Sequence, residues 1–278
     1  MTTGSSQRPH RGPLDASRLA EAFAPYPDLT LELLAEAAST NAVAAQRAAE
    51  GAPEGLVVLA DHQAAGRGRL DRTWQTPPGT AVTFSLLLRP GVPAACWPWL
   101  PLLVGHNVAK ALTALGHEAS LKWPNDVLLA DGRKVAGILV ERVDTPAGPA
   151  AIVGVGINVA QEAAELPVDT ATSLAIDAAG VAPDRETVLL EAVATVREGY
   201  DVWQAGGEQG TERLASSYRA HCATIGRQVR VDLPGGGELL GRAVDIDGSG
   251  RLVVQTSEGP RSVGAGDVVH VRPAPDAD

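Results

Sequence analysis

Residues Gly66-Arg67-Gly68-Arg69, followed closely by Arg72 and Trp74, gather guanidinium groups beside glycines and an aromatic plane. Glycine lets backbone come close to a ligand, and the forked guanidinium matches the oxygens of phosphate or carboxylate. The loop is not a dinucleotide fingerprint, because Asp71 stands where a third glycine is required and no strand-to-helix crossover follows. No GxxxxGK[ST] phosphate loop occurs anywhere in the chain. An anion bound here is therefore held by the arginines. A bare GRGR fits a surface turn equally well.

The lysines add a second constellation. Of 23 basic residues 20 are Arg and only three are Lys, at positions 110, 122 and 134. In such a chain, Lys122 beside Trp123-Pro124-Asn125-Asp126 and Lys134 beside Val135-Ala136-Gly137 suggest places where a compact ammonium fits and a planar guanidinium does not. Taken singly, the first of these is also a strand end with an Asx turn. Gly154-Val155-Gly156-Ile157-Asn158 puts two glycines on one face of a strand, which marks close approach by a ligand or tight packing against a helix.

Ser39-Thr40-Asn41 opens an Ala-rich helix that ends at Gly51. Residues 55–61 and 80–89 read as buried strands, and 94–115 as a long apolar helix whose start is kinked by Pro98 and Pro101. Turns at Asp131-Gly132 and Pro146-Ala147-Gly148-Pro149 break residues 119–160 into an antiparallel meander. Leu189, Val193, Val196, Tyr200 and Trp203 share one face of a helix over 184–205, and a second helix spans 211–221. From Thr224 onward, short β-rich runs separated by Gly-rich turns suggest a small barrel. The reading gives a frayed tail at 1–13, a main domain at 14–222, a barrel domain at 223–272 and a tail at 273–278.

The formal charge is −10 over 278 residues. That opposes broad binding to nucleic acid or to an anionic membrane, so a polyanionic ligand has to be met locally. Cys96 and Cys222 have no ligand-spaced partner, which argues against both a disulfide scaffold and a zinc site. The uncharged run at 90–109 is interrupted by prolines, His106 and Asn107 and reads as a buried helix. No signal-peptide pattern is seen, and the expected location is the cytoplasm.

Taken in order, Ser39-Thr40-Asn41, Gln63 with the GRGR loop, Lys122 to Asp126, Lys134 to Leu139, Gly154 to Val159 and Thr172-Ser173-Leu174 resemble the biotin protein ligases. The resemblance implies an α/β (α+β) fold of the class II synthetase-like type, a mixed sheet flanked by helices, with an SH3-like β-barrel at the C-terminus. It implies biotin and ATP as substrates, Mg²⁺ accompanying ATP, formation of biotinyl-5′-adenylate, and transfer to a lysine of a carrier domain in a biotin-dependent carboxylase. By the same resemblance Arg67, Arg69, Lys122 and Lys134 are the catalytic cations. Ser39, Thr40, Asn41, Gln63, Gly66, Gly68, Gly137 and Gly156 join Arg67, Arg69 and Lys134 around biotin. Arg72, Trp74, Asn125 and Asn158 join Arg69 and Lys122 at the nucleotide, with Trp74 as adenine cover and Asp126 as a candidate metal ligand.

Many members of that family continue GRGR with Arg-Gly, where this chain has Leu70-Asp71. Some carry an N-terminal DNA-binding module. The residues before Ser39 are too few and too acidic for one, so operator binding is not expected. The barrel is expected to help dock the carrier domain. Two rivals are a lipoate ligase or lipoyl/octanoyl transferase, which shares the adenylate logic, and a non-catalytic biotin holder. Nothing in the residues decides between a monomer and a weak homodimer.

Overall fold

A computed structural model describes residues 11–69, 72–178 and 183–270. The Leu70-Asp71 departure and most of the two tails fall outside the described residues. The chain begins with α1 (Ala16–Phe23), β1 (Thr30–Ala37), α2 (Thr40–Ala49) and β2 (Leu56–Gln63). A short hairpin of β3 (Gly66–Arg67) and β4 (Thr73–Trp74) leads to β5 (Ala81–Leu88) and α3 (Leu100–Ala114). The meander is β6 (Ala119–Lys122), β7 (Asp126–Leu129), β8 (Lys134–Thr145) and β9 (Gly148–Asn158), followed by α4 (Leu174–Asp177) and α5 (Arg185–His221). Last come β10 (Gln228–Asp232), β11 (Glu238–Ile246), β12 (Leu252–Thr256), β13 (Gly259–Val263) and β14 (Asp267–His270).

The seven-stranded sheet has the order β1-β2-β5-β9-β8-β7-β6, with β1 and β2 parallel and the other neighbours antiparallel. Interior strand β5 is buried along its whole length. Val82, Phe84, Leu86 and Leu88 enter the main core, where α3 and α5 cover the sheet, and Leu87 packs on the other face beneath Ala44 and Ala48 of α2. Thr83 and Ser85 share the α2 face, and they are the polar interruptions of an otherwise apolar strand. The alanines of α2 let the helix sit close to the sheet and hold the first residues of that helix over this polar patch.

Several elements differ from the sequence reading. Pro98 turns residues 94–99 into a 3-10 segment before α3 begins. By contrast, the two helices expected at 184–205 and 211–221 are both there, joined end to end within α5 at a kink where Gly207 takes φ 54°. Residues 11–13, expected in the frayed tail, are pinned: Arg11 pairs with Glu165 at 2.8 Å, and the Gly12 carbonyl accepts from buried Arg185. No helix among the described residues is long and apolar enough to cross a membrane.

The C-terminal strands make a five-stranded antiparallel sheet, β13-β12-β11-β10-β14, which grips the larger domain through two indoles. Trp99 Nε1 donates to the Gly248 carbonyl and buried Trp123 Nε1 to that of Gly250, both at 3.0 Å. Burying both rings excludes water from the junction, and both N–H groups are satisfied there.

His106 on α3 sets an acid limit on this packing. Its Nε2 lies 3.0 Å from Ser217 Oγ on α5, and the rings of His106 and His221 are 5.6 Å apart. Burial, together with the nearby charges of His221 and Lys110, pushes its pKa down to about 4. Between about 6.5 and 4 the unfolded chain therefore binds more protons than the folded one, so stability falls as pH drops. Urea unfolding at pH 7 and pH 5 should differ by on the order of 2 kcal/mol from this residue. His106→Gln should remove that share of the difference.

Candidate active site

One cavity collects most of the singled-out residues, using the start of α2, the end of β2, the β3-β4 loop, and strands β5, β8 and β9. At its polar end Ser39 occupies the N-cap position of α2 without capping it, so its hydroxyl is left to the cavity. Gln63 Oε1 accepts from Thr40 N at 3.0 Å and from Thr40 Oγ1 at 3.2 Å. Asn41 Nδ2 donates to Glu141 Oε2 at 2.7 Å and to the Leu139 carbonyl at 3.3 Å, and its Oδ1 accepts from Ser85 Oγ at 2.6 Å.

The floor follows from strand register. Gly137 on β8 pairs with Gly156 on β9, so two residues without side chains lie side by side in mid-sheet. The indole of Trp74 lies on this bare patch. A Cβ built at Gly156 would stand 2.5 Å from Trp74 Cε2, and one at Gly137 3.3 Å from Cζ3. Trp74 Nε1 is buried without a partner among the described residues. Gly68 also lines the cavity, whereas Gly66 packs between the Gln63 side chain and the Trp74 backbone behind the wall.

The cations stand at the other end. Arg69 donates to Asn125 Oδ1 at 3.3 Å, and Asn125 Nδ2 is itself held by the Ile138 carbonyl at 2.8 Å. Burial pushes the Arg69 guanidinium below its ordinary pKa while Asp126 and Asp267 pull it upward. Lys134 Nζ is 2.6 Å from Asp126 Oδ1 and 5.6 Å from the centre of a Trp74 ring, so the lysine is fixed by a carboxylate and an aromatic face together. Arg72 pairs with Asp267 from the C-terminal sheet, whereas Arg67 stands nearer the amide end, 3.2 Å from the Glu141 carboxylate that also holds Asn41.

Besides Gly66, two expected contacts stand apart from the cavity. Lys122 sits behind Asp126, with Nζ 3.9 Å from its Oδ2, because the tight β6-β7 hairpin pairs these two positions directly. Asn158 has the right strand parity, two residues beyond Gly156, but the loop after β9 covers it. Its Nδ2 donates to the Thr172 carbonyl and its Oδ1 accepts from Gln161, both at 2.9 Å. Thr83, Gly266 and Asp267 line the cavity without having been singled out from the sequence, and Gly154 lines it without having been assigned a contact. Gly154 had a signal, since it is the first glycine of the GVG run.

Asp267 changes what the C-terminal sheet is expected to do. It brings a carboxylate into the cavity wall and holds an arginine of the loop, while the same sheet seats Trp99 and Trp123. Deleting residues 223–278 should therefore abolish small-molecule turnover as well as any transfer to a protein acceptor. Retention of the first with loss of the second would restore the simpler docking role.

Two family models match the chain. The biotin/lipoate A/B protein ligase family covers residues 35–158, and the biotin protein ligase C terminal domain covers 224–271. The biotin--[acetyl-CoA-carboxylase] ligase of Mycobacterium tuberculosis is 42% identical over 87% of this chain and 89% of its own length. The chain belongs to the biotin protein ligases. The bifunctional ligase/repressor BirA of Bacillus subtilis is 35% identical over 83% of this ligase and 70% of the relative. The biotin protein ligase of Aquifex aeolicus, solved in complex with biotin and ATP, superposes with a TM-score of 0.72 at 31% identity, covering 88% of this chain and 99% of that one. The second family model and these relatives favour a biotin ligase over the lipoate alternative.

Proposed function

We propose that this biotin protein ligase activates biotin with ATP to biotinyl-5′-adenylate, releasing pyrophosphate, and then passes biotin to a lysine of a carboxylase carrier domain. The carrier domain belongs to an acyl-CoA/acetyl-CoA or pyruvate carboxylase. The observation that carries this reading is a single cavity with a glycine-floored, amide-lined end and a cationic end. A carboxylate attacking an α-phosphorus meets negative oxygens, and charge shifts within the transferred group as the bond to pyrophosphate breaks. Arg69 and Lys134 supply fixed positive charge for that step, Arg72 stands at the rim of the phosphate path, and Arg67 acts from the biotin side, where Glu141 holds it. Thr40 and Gln63 address the polar face of biotin, and Gly137 and Gly156 admit its ring. The Trp74 indole, which lies on that glycine floor, leaves it as the ring enters and then covers the adenylate. Lys122 acts at one remove, through Asp126.

Asp126 does not suit a resident cation, since two lysines already flank its carboxylate. No group of three metal-ligating side chains occurs among the described residues. Mg²⁺ is expected to arrive on ATP, held by phosphate and water. A cytoplasmic location agrees with the free thiols of Cys96 and Cys222.

The test supplies ATP, Mg²⁺ and either biotin or lipoate, following pyrophosphate release and labelling of a carrier domain. Biotin-dependent release with carrier labelling supports the reading. Turnover with lipoate alone would move the chain to the sister activity, and biotin binding without pyrophosphate would leave only a holder.

A further inference from the structure

Ser85 is fully buried, absent from the cavity lining, and placed in the middle of interior strand β5 among apolar neighbours. A hydroxyl in such a position has to be satisfied by specific partners. Its Oγ is 2.6 Å from Asn41 Oδ1 and 2.8 Å from Thr40 Oγ1. Across the ladder it pairs with Gly154, where a Cβ would lie 2.2 Å from Asn41 Oδ1, so the missing side chain there makes room for the Asn41 carboxamide.

Counting protons fixes the direction of the bonds to Glu141 and Asn41. The Glu141 carboxylate only accepts, so Asn41 turns its Nδ2 to Glu141 and its Oδ1 to Ser85. That oxygen only accepts, so the single proton of Ser85 goes to Asn41. The hydroxyl proton of Thr40 is then directed to Gln63 Oε1 or Ser85 Oγ, leaving Thr40 with lone pairs for the cavity. Gln63 Oε1 is already taken by Thr40, so its Nε2 is the group that remains for a ligand. The wall thus presents an acceptor beside a donor. A cyclic urea, with N–H next to C=O, complements that order, whereas a dithiolane ring satisfies neither group.

We propose that Ser85 is a positioning residue which, through Asn41 and Thr40, sets the hydrogen-bond polarity of the cavity's polar end and so its preference for a cyclic urea. Asn41 is on this account fully committed within the protein and acts by orienting its neighbours. The inference rests on the proposed activation of biotin.

Pyrophosphate release by the full-length chain tests it. Ser85→Ala should raise the KM for biotin about tenfold, the cost of one misdirected buried bond, while the KM for ATP at saturating biotin stays within about twofold. Ser85→Cys keeps the size and weakens the donor, and should give an intermediate biotin KM. A general loosening of the site would raise both constants together. Parallel rises, or an unchanged biotin KM in both variants, would overturn the proposal. A parent chain that releases no pyrophosphate with biotin would instead overturn the reading beneath it, so the two failures are distinguishable.

Discussion

Arg69→Ala should slow biotin-dependent pyrophosphate release by roughly 10²–10³-fold in kcat, about 3–4 kcal/mol of transition-state stabilisation. Arg69 is the most deeply desolvated of the loop arginines whose pKa is displaced. Its charge therefore acts in a medium where Coulomb interactions are less screened than at the exposed Arg67 and Arg72. Its direction is also set in advance, because Asn125 holds Nη1 and the Ile138 carbonyl holds Asn125. Little reorganisation remains to be done when charge develops on the phosphoryl group. Arg69→Lys keeps the charge and loses the fork, so it should recover only part of the rate. Arg72→Ala should cost much less, since that guanidinium is mostly exposed and already neutralised by Asp267. Rapid-quench measurement of the first turnover isolates this step from transfer to the carrier. Equal losses at Arg69 and Arg72 would show that the loop works by its overall charge and that Arg69 has no special placement.

What could be read in the sequence was the part of the site that uses unusual residues. A rare lysine, a glycine pair and an arginine loop are conspicuous because each breaks a local expectation, and their order along the chain carries more information than any one of them. Lys134, Arg69, Gly137 and Gly156 do meet in one cavity. The inconspicuous partners could not be found that way. Ser85 is one hydroxyl in an apolar strand, and Glu141 sits in a long β8 where alternation predicts only a face. Asp267 comes from the far end of the chain, and no local pattern says which turn of a small sheet faces the other domain. Asn158 and Lys122 show the opposite failure. Their motif and parity place them correctly, but a hairpin pairing and a covering loop, both tertiary, keep them from the cavity. The fold behaved alike: periodicity located the buried face of α5 and the meander, while α1 and β1 lie in a stretch whose interspersed charges hid both elements.

Gly156→Val tests whether the glycine floor has the consequence its geometry implies. The position is extended and paired on both sides within the sheet, where a β-branched residue is favoured, so the variant should melt close to the parent. The three atoms nearest to an added Cβ all belong to the Trp74 ring, at 2.5–2.8 Å. The indole is therefore displaced and the isopropyl group takes the slot in which a ligand ring would lie. Losing burial of about 100 Å² of apolar ring surface at about 25 cal/mol per Å² costs about 2.5 kcal/mol, a rise in biotin KM of roughly 50- to 100-fold. Displacement of the indole into water should also shift tryptophan emission to the red. Gly156→Ala, with a single methyl, should give a smaller change in both readouts. Adding Trp74→Ala to Gly156→Val separates two causes. If the double variant binds biotin as the parent does, the obstacle is the displaced indole; if it stays weak, the valine itself fills the ring's place, which is the outcome expected from two glycines set side by side.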